Sequence, residues 1–298
     1  MTLLMASLPS GHALTTALVT GVLLGGLFAV TALGLSLVFG VMRLVNLVHG
    51  ELVILGAYLA YVIALRTGID PLLTLVAVAP IAFILAFAVQ RFLLTPVMGT
   101  GAEAALLTTF GLSIIAQNLF TLIFAGDTKA LDAPYATLSL SLAGLSIPAI
   151  YVIAFAFAVV LCGGAHLFLQ RTAPGRAVRA SAEDPGAAAM MGVDIKRVYA
   201  VIYGMAAAFA AVGGVLAGLS FSFAPTSGTT YLLTGFAVVV LGGLGSVRGT
   251  FIGGLLLGVI ESVGAAFLGD GYRDLVGLAA FLIILALRPQ GLYGRRTA

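Results

Sequence analysis

Residues 13–42 read ALTTALVTGVLLGGLFAVTALGLSLVFGVM, a run of 30 residues without one charged side chain. A spanning α-helix needs about 20 predominantly apolar residues, because about 30 Å of hydrocarbon must be crossed at about 1.5 Å per residue. The run is long enough to cross a bilayer, either as one tilted helix or as two broken segments. Stretches of this kind decide the fold of the chain.

The composition excludes a soluble globular protein. Of 298 residues, 61% are hydrophobic and only 8% are charged, whereas about 25% of the residues in a soluble domain are charged. Most of the surface must therefore face lipid. The formal net charge is +3, but the basic residues are scattered between apolar runs, so no nucleic-acid partner is expected. The single cysteine excludes an internal disulfide and a cysteine metal cluster.

The charged residues separate nine apolar segments, so the sequence predicts an all-α polytopic membrane protein with about nine transmembrane helices (eight to ten). Residues 1–298 are interpreted as a single transmembrane domain, with the loop 171–197 within it. The stretch 198–247 has no charge over 50 residues and is divided at Pro225. The predicted spans are 13–42, 44–65, 71–90, 104–126, 147–170, 198–224, 230–247, 249–269 and 274–287.

The positions of lysine and arginine predict the orientation, because basic loops stay on the cytoplasmic side. If the loop 171–197 is cytoplasmic, alternation places eleven basic residues inside and Arg66, Lys129 and Arg273 outside. The C-terminus is then cytoplasmic, and 127–146 is the largest external loop. The inside set is Arg43, Arg91, Arg171, Arg176, Arg179, Lys196, Arg197, Arg248, Arg288, Arg295 and Arg296.

Glycines repeat at helical spacing and predict close helix packing. Gly245, Gly249 and Gly253 recur every fourth residue, and the pairs Gly21/Gly25 and Gly254/Gly258 do the same. In a helix, each series forms a small-residue stripe that allows another backbone to approach. Chance is the alternative explanation for any one pair in a glycine-rich chain. Arg248 indicates that part of the first series lies in a loop between helices.

The loop 171–197 contains a predicted two-turn helix. Asp184 is a favourable N-cap, Pro185 suits the first helical position, and Gly192 supplies the stop. So short a helix needs a partner to be stable. Ala188, Met190 and Met191 are expected to form a small exposed apolar knob, which either docks on a cytosolic partner or packs on the helix ends of this chain.

Two sets of polar residues interrupt the apolar spans. Asn46 and His49 are expected to share a face of the second span, with Glu51 on the same turn, and Glu261 lies well inside a late span. Polar groups in a span tend to face an interior or a cavity, so these four are candidates for a substrate pathway. Alternatively, Glu51 pairs with Arg43 at the start of a helix, and Glu261 makes a hydrogen bond between helices.

Several catalytic motifs are absent from the sequence. Neither Lys129 nor Lys196 stands in a G-x-x-x-x-G-K-[ST] frame, so the chain cannot hydrolyse ATP through a P-loop. It contains no H-E-x-x-H and no G-x-S-x-G, and its three histidines are far apart in sequence. The sequence therefore predicts no enzymatic activity, no cofactor and no metal site.

Three motifs resemble those of LivH-type permeases, the membrane subunits of branched-chain amino acid ABC importers. They are GVMRLVNLVHGELVILGAY at 40–58, RASAEDPGAAAMMGV at 179–193 and VVLGGLGSVRGTFIGG at 239–254, in the order the family has them. The similarity extends from about residue 14 to 293. Related permeases carry urea, short amides or sugars, and these motifs do not identify the substrate.

The resemblance implies partners and roles that composition does not. Such permeases pair with a second, homologous LivM-type permease, bind two cytosolic ATP-binding subunits and receive substrate from a periplasmic binding protein. The expected location is the bacterial inner membrane. The predicted helix becomes a coupling helix seated on an ATPase, which assigns coupling roles to Glu183, Asp184, Pro185, Ala188, Met190, Met191 and Gly192.

Two other classes remain open at this stage. An ion-gradient-driven secondary transporter or channel usually carries ionisable groups or broken helices at the membrane midplane, and Glu261 is the candidate for such a group. An intramembrane enzyme is the weaker alternative, because no catalytic residue set is visible.

Overall fold

The computed structural model describes residues 10–142, 144–287 and 291. The fold is an all-α bundle with one small antiparallel hairpin in the loop between α5 and α6. A π-helical turn at Gln90–Leu94 joins α3 to α4, and short 3-10 turns precede α10 and α12. The elements are α1 (Gly11–Met42), α2 (His49–Thr67), α3 (Leu75–Val89), α4 (Thr95–Met98), α5 (Ala102–Phe124), β1 (Ser139–Leu142), β2 (Leu145–Pro148), α6 (Ala149–Arg171), α7 (Ala173–Glu183), α8 (Pro185–Met190), α9 (Ile195–Ser220), α10 (Gly228–Gly242), α11 (Val247–Leu268) and α12 (Arg273–Leu287).

Each of the nine predicted apolar segments forms a helix. Seven helical stretches in the described residues are long and apolar enough to cross a membrane: α1, α2, α3 with its continuation to Met98, α5, α6, α9 and α11. Helix α10 has 15 residues, about 22 Å at about 1.5 Å per residue, and is therefore too short to cross the hydrocarbon alone. Helix α12 has 15 residues within the described range, which stops at Leu287. The first apolar run is one continuous helix of 32 residues.

Several predicted boundaries are wrong because charges mark contact with water rather than the ends of helices. Helix α2 begins at His49 instead of residue 44, and α9 ends at Ser220 instead of residue 224. The predicted turn at Pro225 is confirmed as a 3-10 turn. The sequence analysis missed α7, although Thr172 caps its N-terminus by accepting from the Gly175 N–H at 3.0 Å.

The core of the bundle lies around α1 and α9. In the most apolar stretch of each of these helices, 78% of the residues are buried, compared with 11% for α5 and 22% for α3 and α6. Three helices at the periphery of the chain thus expose most of their surface, and the fully buried Leu33, Tyr58 and Ile202 lie in the centre.

Small residues allow α1 and α11 to form the most extensive helix contact. Gly21 and Gly25 of α1 face Gly254 and Gly258 of α11, and a methyl group added at Gly25 would lie 2.6 Å from the Gly254 carbonyl oxygen. The two predicted stripes are confirmed and pack against each other. Backbone contact of this kind replaces the hydrophobic driving force that lipid does not provide.

The glycine series that begins at Gly245 is only partly helical. Gly249 and Gly253 lie in α11 and face Gly242 of α10. Gly245 lies in the turn between the two helices with φ of +80°, packed against Gly40. The expected stripe of three is therefore wrong at its first member, where the chain needs a left-handed residue in order to reverse.

The loop between α5 and α6 contains a hairpin and a hydrogen bond to the segment between α2 and α3. Strands β1 and β2 pair from Ser139 with Pro148 to Leu142 with Leu145. Upstream, Tyr135 donates to Asp70 Oδ1 at 2.6 Å, and burial, followed by that carboxylate, raises the pKa of Tyr135. Of the residues used to predict the orientation, Arg288, Arg295 and Arg296 lie outside the described residues.

Candidate functional site

Helix α2 begins inside the bundle rather than at its edge. The Nε2 N–H of His49, the first residue of α2, donates to the Thr31 carbonyl oxygen at 2.8 Å. Thr31 lies about 16 Å from the end of α1 at Met42, at about 1.5 Å per residue. Residues 43–48 therefore carry the chain back into the bundle before α2 starts.

The N-terminus of α10 meets the N-terminus of α2 at this depth. Gly228, the first residue of α10, packs on Gly50 and on the Glu51 carboxylate, and a methyl group at Gly228 would lie 2.6 Å from Glu51 Oε2. Neither helix has a side-chain N-cap. The positive ends of two helix dipoles thus converge around Glu51.

Asn46 and His49 are fully buried at this junction of α2 and α10. Asn46 precedes α2, so the prediction that it shares a helical face with His49 is wrong. Its Oδ1 accepts from the Tyr203 hydroxyl at 3.1 Å. Asn46 Nδ2 and His49 Nδ1 have no hydrogen-bond partner among the described residues. Such atoms are uncommon in a folded interior and call for an explanation.

Glu51 is 3% exposed. Its Oε1 accepts from the Ser113 hydroxyl of α5 at 3.4 Å, and its Oε2 has no partner among the described residues. The expected pair with Arg43 is wrong, because the two ion pairs in the described part of the chain are Lys129–Asp127 and Arg273–Asp270. Arg43 instead ends α1 in a left-handed conformation with φ of 51°.

A cavity of about 310 Å³ lies between α2, α3 and α5, and Glu51 is part of its lining. Tyr203 of α9 also reaches it. The rest of the lining is aliphatic or aromatic: Val48, Leu52, Leu55, Leu85, Ala86, Val89, Leu112, Ile115, Ala116, Leu119 and Phe120. A mostly apolar cavity with a few polar groups is typical of a site for a small ligand.

Sequence reasoning missed Thr31, Ser113 and Tyr203. All three are polar residues inside apolar runs, which was the available signal. Their partners lie 18, 62 and 157 residues away along the chain, so the spacing within a single helix could not reveal them.

The predicted short helix of the 171–197 loop is confirmed as α8. Asp184 Oδ1 accepts from the Ala187 N–H at 3.0 Å, Pro185 is the first residue of the helix, and Gly192 follows it with φ of +87°. Glu183 is the last residue of α7. The helix therefore ends where the sequence predicts, within one residue.

The predicted exposed knob of Ala188, Met190 and Met191 is wrong at one position. Met190 and Met191 are each 85% exposed, but Ala188 is buried at 5%. The Ala188 carbonyl oxygen accepts from the Val193 N–H at 3.1 Å, and α8 packs on α7 and α9. Ala188 thus holds α8 on the bundle, because it lies on the inner face of the helix, and the two methionines alone form the exposed knob.

Glu261 is 5% exposed and lies on α11 against α12. A methyl group at Gly277 of α12 would collide with its Oε1, and a cavity of about 180 Å³ with Thr230, Thr234 and Asp274 adjoins it. The alternative of a hydrogen bond between helices is not seen among the described residues. Its role in a pathway stays a prediction.

No group of three or more histidine, cysteine, aspartate or glutamate side chains that could hold a metal ion occurs in the described part of the chain. Of the polar side chains at the α2–α10 junction, Glu51 and Tyr203 also line the cavity between α2, α3 and α5, which could hold a small organic ligand.

Comparison with known families decides the class of protein. The family model described as branched-chain amino acid transport system, permease component, matches residues 17–286. The chain belongs to this family. The permease is 32% identical over 291 residues to the high-affinity branched-chain amino acid transport system permease protein BraD of Pseudomonas aeruginosa, covering 93% of this chain and 95% of the relative.

The permease is also 32% identical over 293 residues to the LivH permease protein of the same kind of system in Salmonella typhimurium, covering 92% of this chain and 94% of the relative. For LivH of Escherichia coli the identity is 31% with the same coverage. No solved structure matches the permease. The multi-pass helical fold and the family together make the chain a transport permease component.

Proposed function

We propose that the permease is the membrane subunit of an ATP-binding-cassette importer that moves branched-chain amino acids, or a related small amino acid or amide, into the cytoplasm. Family membership and relatives over more than nine-tenths of the chain support this proposal. The structural observation that carries it is the pair of exposed methionines on α8, Met190 and Met191.

The chain has no P-loop of its own, so two separate cytosolic subunits supply ATP hydrolysis. Met190 and Met191 dock in a groove of such a subunit, because exposed methionine side chains lose unfavourable contact with water when they are covered. Helix α7 packs on α1, α6 and α9. A displacement of the docked α8 is therefore transmitted through α7 to the core of the bundle.

The remaining partners are a second, LivM-type permease and a periplasmic substrate-binding protein. The largely exposed helices α3, α5 and α6 supply surface for the second permease and for lipid. The inner membrane is the location, with the basic loop 171–197 and the C-terminus in the cytoplasm. The loop that carries β1 and β2 then faces the binding protein.

The substrate pathway runs past the α2–α10 junction with Asn46, His49 and Glu51. Broken helices that end at depth, with uncapped N-termini and buried polar groups, are the construction that transporters use at substrate sites. Glu261 is proposed as a second pathway residue beside α12.

Reconstitution tests this function against an ion-gradient-driven transporter or channel. Vesicles with the permease, its companion permease, the ATPases and the binding protein are expected to accumulate leucine only when ATP is supplied on the ATPase side. Vesicles with the permease alone are expected to accumulate none. Accumulation by the permease alone, driven by a proton or sodium gradient, would overturn the proposal and favour the other class.

A further inference from the structure

The Glu51 carboxylate is a buried acidic group at the junction of α2 and α10. It is 3% exposed, and its Oε2 has no partner among the described residues. The ends of α2 and α10 that converge on it favour negative charge, but burying an unpaired charge is costly. The lysine and arginine side chains in the ion pairs of the described residues lie elsewhere. A ligand with a positive charge would complete the arrangement.

The walls of the cavity beside Glu51 are mostly apolar and therefore favour a ligand with an apolar body. The side chains of Leu52, Leu55, Val89, Leu112 and Phe120 surround the space, which has a volume of about 310 Å³. A ligand that fits both the Glu51 carboxylate and the apolar walls has a cationic group and an aliphatic body.

We propose that the cavity between α2, α3 and α5 binds an α-amino acid with an aliphatic side chain, whose ammonium group pairs with Glu51 and whose side chain lies among the leucines. The inference rests on the proposed function and deepens it, since it assigns the substrate class to particular residues. Urea, amides and sugars can donate hydrogen bonds but carry no positive charge, so they would leave the negative charge of the carboxylate uncompensated.

The cavity opens between α3 and α5, on the surface that the proposed function assigns to the second permease and lipid. Leu85 of α3 and Leu119 of α5 line it and are each 49% exposed. Ser113, whose hydroxyl donates to Glu51, also belongs to α5. Helix α5 therefore contributes both to the polar end and to the apolar wall, and a movement of α5 would change the fit of the ligand.

Charge removal at Glu51 is the first test, in the complete reconstituted transporter with ATP. Glu51→Gln keeps the shape of the side chain and is expected to lower leucine uptake about 10- to 100-fold, in the range of a lost charge-assisted hydrogen bond. Glu51→Asp keeps the charge and is expected to retain more uptake than Glu51→Gln. Glu103→Gln, at an exposed position in the first turn of α5, is the matched control and is expected to transport as the wild type does.

A binding measurement separates recognition from folding. Leucine is expected to raise the thermal unfolding temperature of the purified wild-type complex without binding protein, whereas 4-methylpentanoate, which lacks the amino group, is expected to leave it unchanged. The Glu51→Gln complex is expected to co-purify with its partners and to show no leucine shift. An equal shift with both compounds in the wild type would contradict the role of the carboxylate.

A larger residue in the cavity wall tests whether the side chain of the bound amino acid lies there. Leu112→Phe is expected to reduce leucine uptake roughly fivefold more than alanine uptake, because the larger residue overpacks the cavity. Leu122→Phe on the same helix, at a position 80% exposed, is the control. If the wild type takes up leucine with ATP and Glu51→Gln does so equally well, the inference fails and the proposed function stands. If the wild-type complex takes up no amino acid, the proposed function itself fails.

Discussion

At the α2–α10 junction, three buried polar atoms have no hydrogen-bond partner among the described residues: Asn46 Nδ2, His49 Nδ1 and Glu51 Oε2. On α8 the situation is reversed, because the side chains of Met190 and Met191 are apolar and exposed. Both arrangements are unfavourable, since apolar surface is unstable in water and an unpaired polar group is unstable in the interior. The contrast supports the proposal that the first site binds a small ligand with a charged group and the second binds a protein surface.

The largest effect on uptake is expected when the exposed methionines of α8 are replaced by charged residues. Replacing Met190 and Met191 together by aspartate removes two apolar side chains, each contributing about 1.5–3 kcal/mol when buried. Docking of the ATPase should weaken by roughly 10²- to 10⁴-fold. ATP-dependent uptake in vesicles is expected to fall to background, and the ATPases are expected to be lost on co-purification.

The double replacement by leucine is the control for that variant, because it keeps the apolar surface and should preserve uptake. The aspartate variant is expected to keep the wild-type unfolding temperature, since both positions are 85% exposed. Normal uptake by the aspartate variant would show that α8 does not transmit force.

A single methyl group added at the α2–α10 junction should lower the stability of the fold, whereas the changes at Met190 and Met191 should not. Gly50→Ala places a Cβ against the backbone of Gly228, which is expected to destabilise the fold by about 1–3 kcal/mol through overpacking. The unfolding temperature in detergent should fall, together with uptake. The matched change Gly163→Ala in α6 meets no atom within 4 Å and should stabilise the helix by about 0.5–1 kcal/mol.

If Gly50→Ala and Gly163→Ala unfold at the same temperature, the close contact of α2 with α10 is not a determinant of stability.

A smaller loss of uptake is expected when the N-cap residue of α8 is removed. Asp184→Ala removes the bond from the Ala187 N–H and costs about 0.5–2 kcal/mol of helix stability. Because α8 has six residues, uptake should fall roughly 2- to 30-fold. Asp194→Ala removes the equivalent bond at the start of the 26-residue α9, which packing maintains, so its uptake should fall less. Equal uptake by the two variants would mean that the order of α8 does not limit coupling.

The sequence locates the membrane helices well because lipid imposes one strong requirement, a long apolar run. It places the start of α2 wrongly because residues 44–48 are apolar apart from Asn46 and yet not helical, and hydropathy does not distinguish the two conformations. The N-cap at Asp184 and the stop at Gly192 are local signals and were predicted correctly, whereas Ala188 was assigned to the wrong face of α8.

The candidate pathway residues were found in the sequence by their rarity in apolar runs, but their contacts were not. Glu51 was expected near Arg43, and the structure places it beside Ser113 and Gly228. Contacts of that kind depend on how distant helices cross. They follow from the glycines that allow close approach, whose partners a single sequence does not identify.

The interlocked glycines of α1 and α11 have a mechanical consequence. With Gly21 and Gly25 seated on Gly254 and Gly258, the two helices have no side-chain layer between them that could deform, so neither can slide without lifting off its neighbour. They form one rigid unit. If the permease opens alternately to the two sides of the bilayer, as the proposed function requires, we expect the movement in the outer helices, and in α5 first, because it buries the smallest share of its residues.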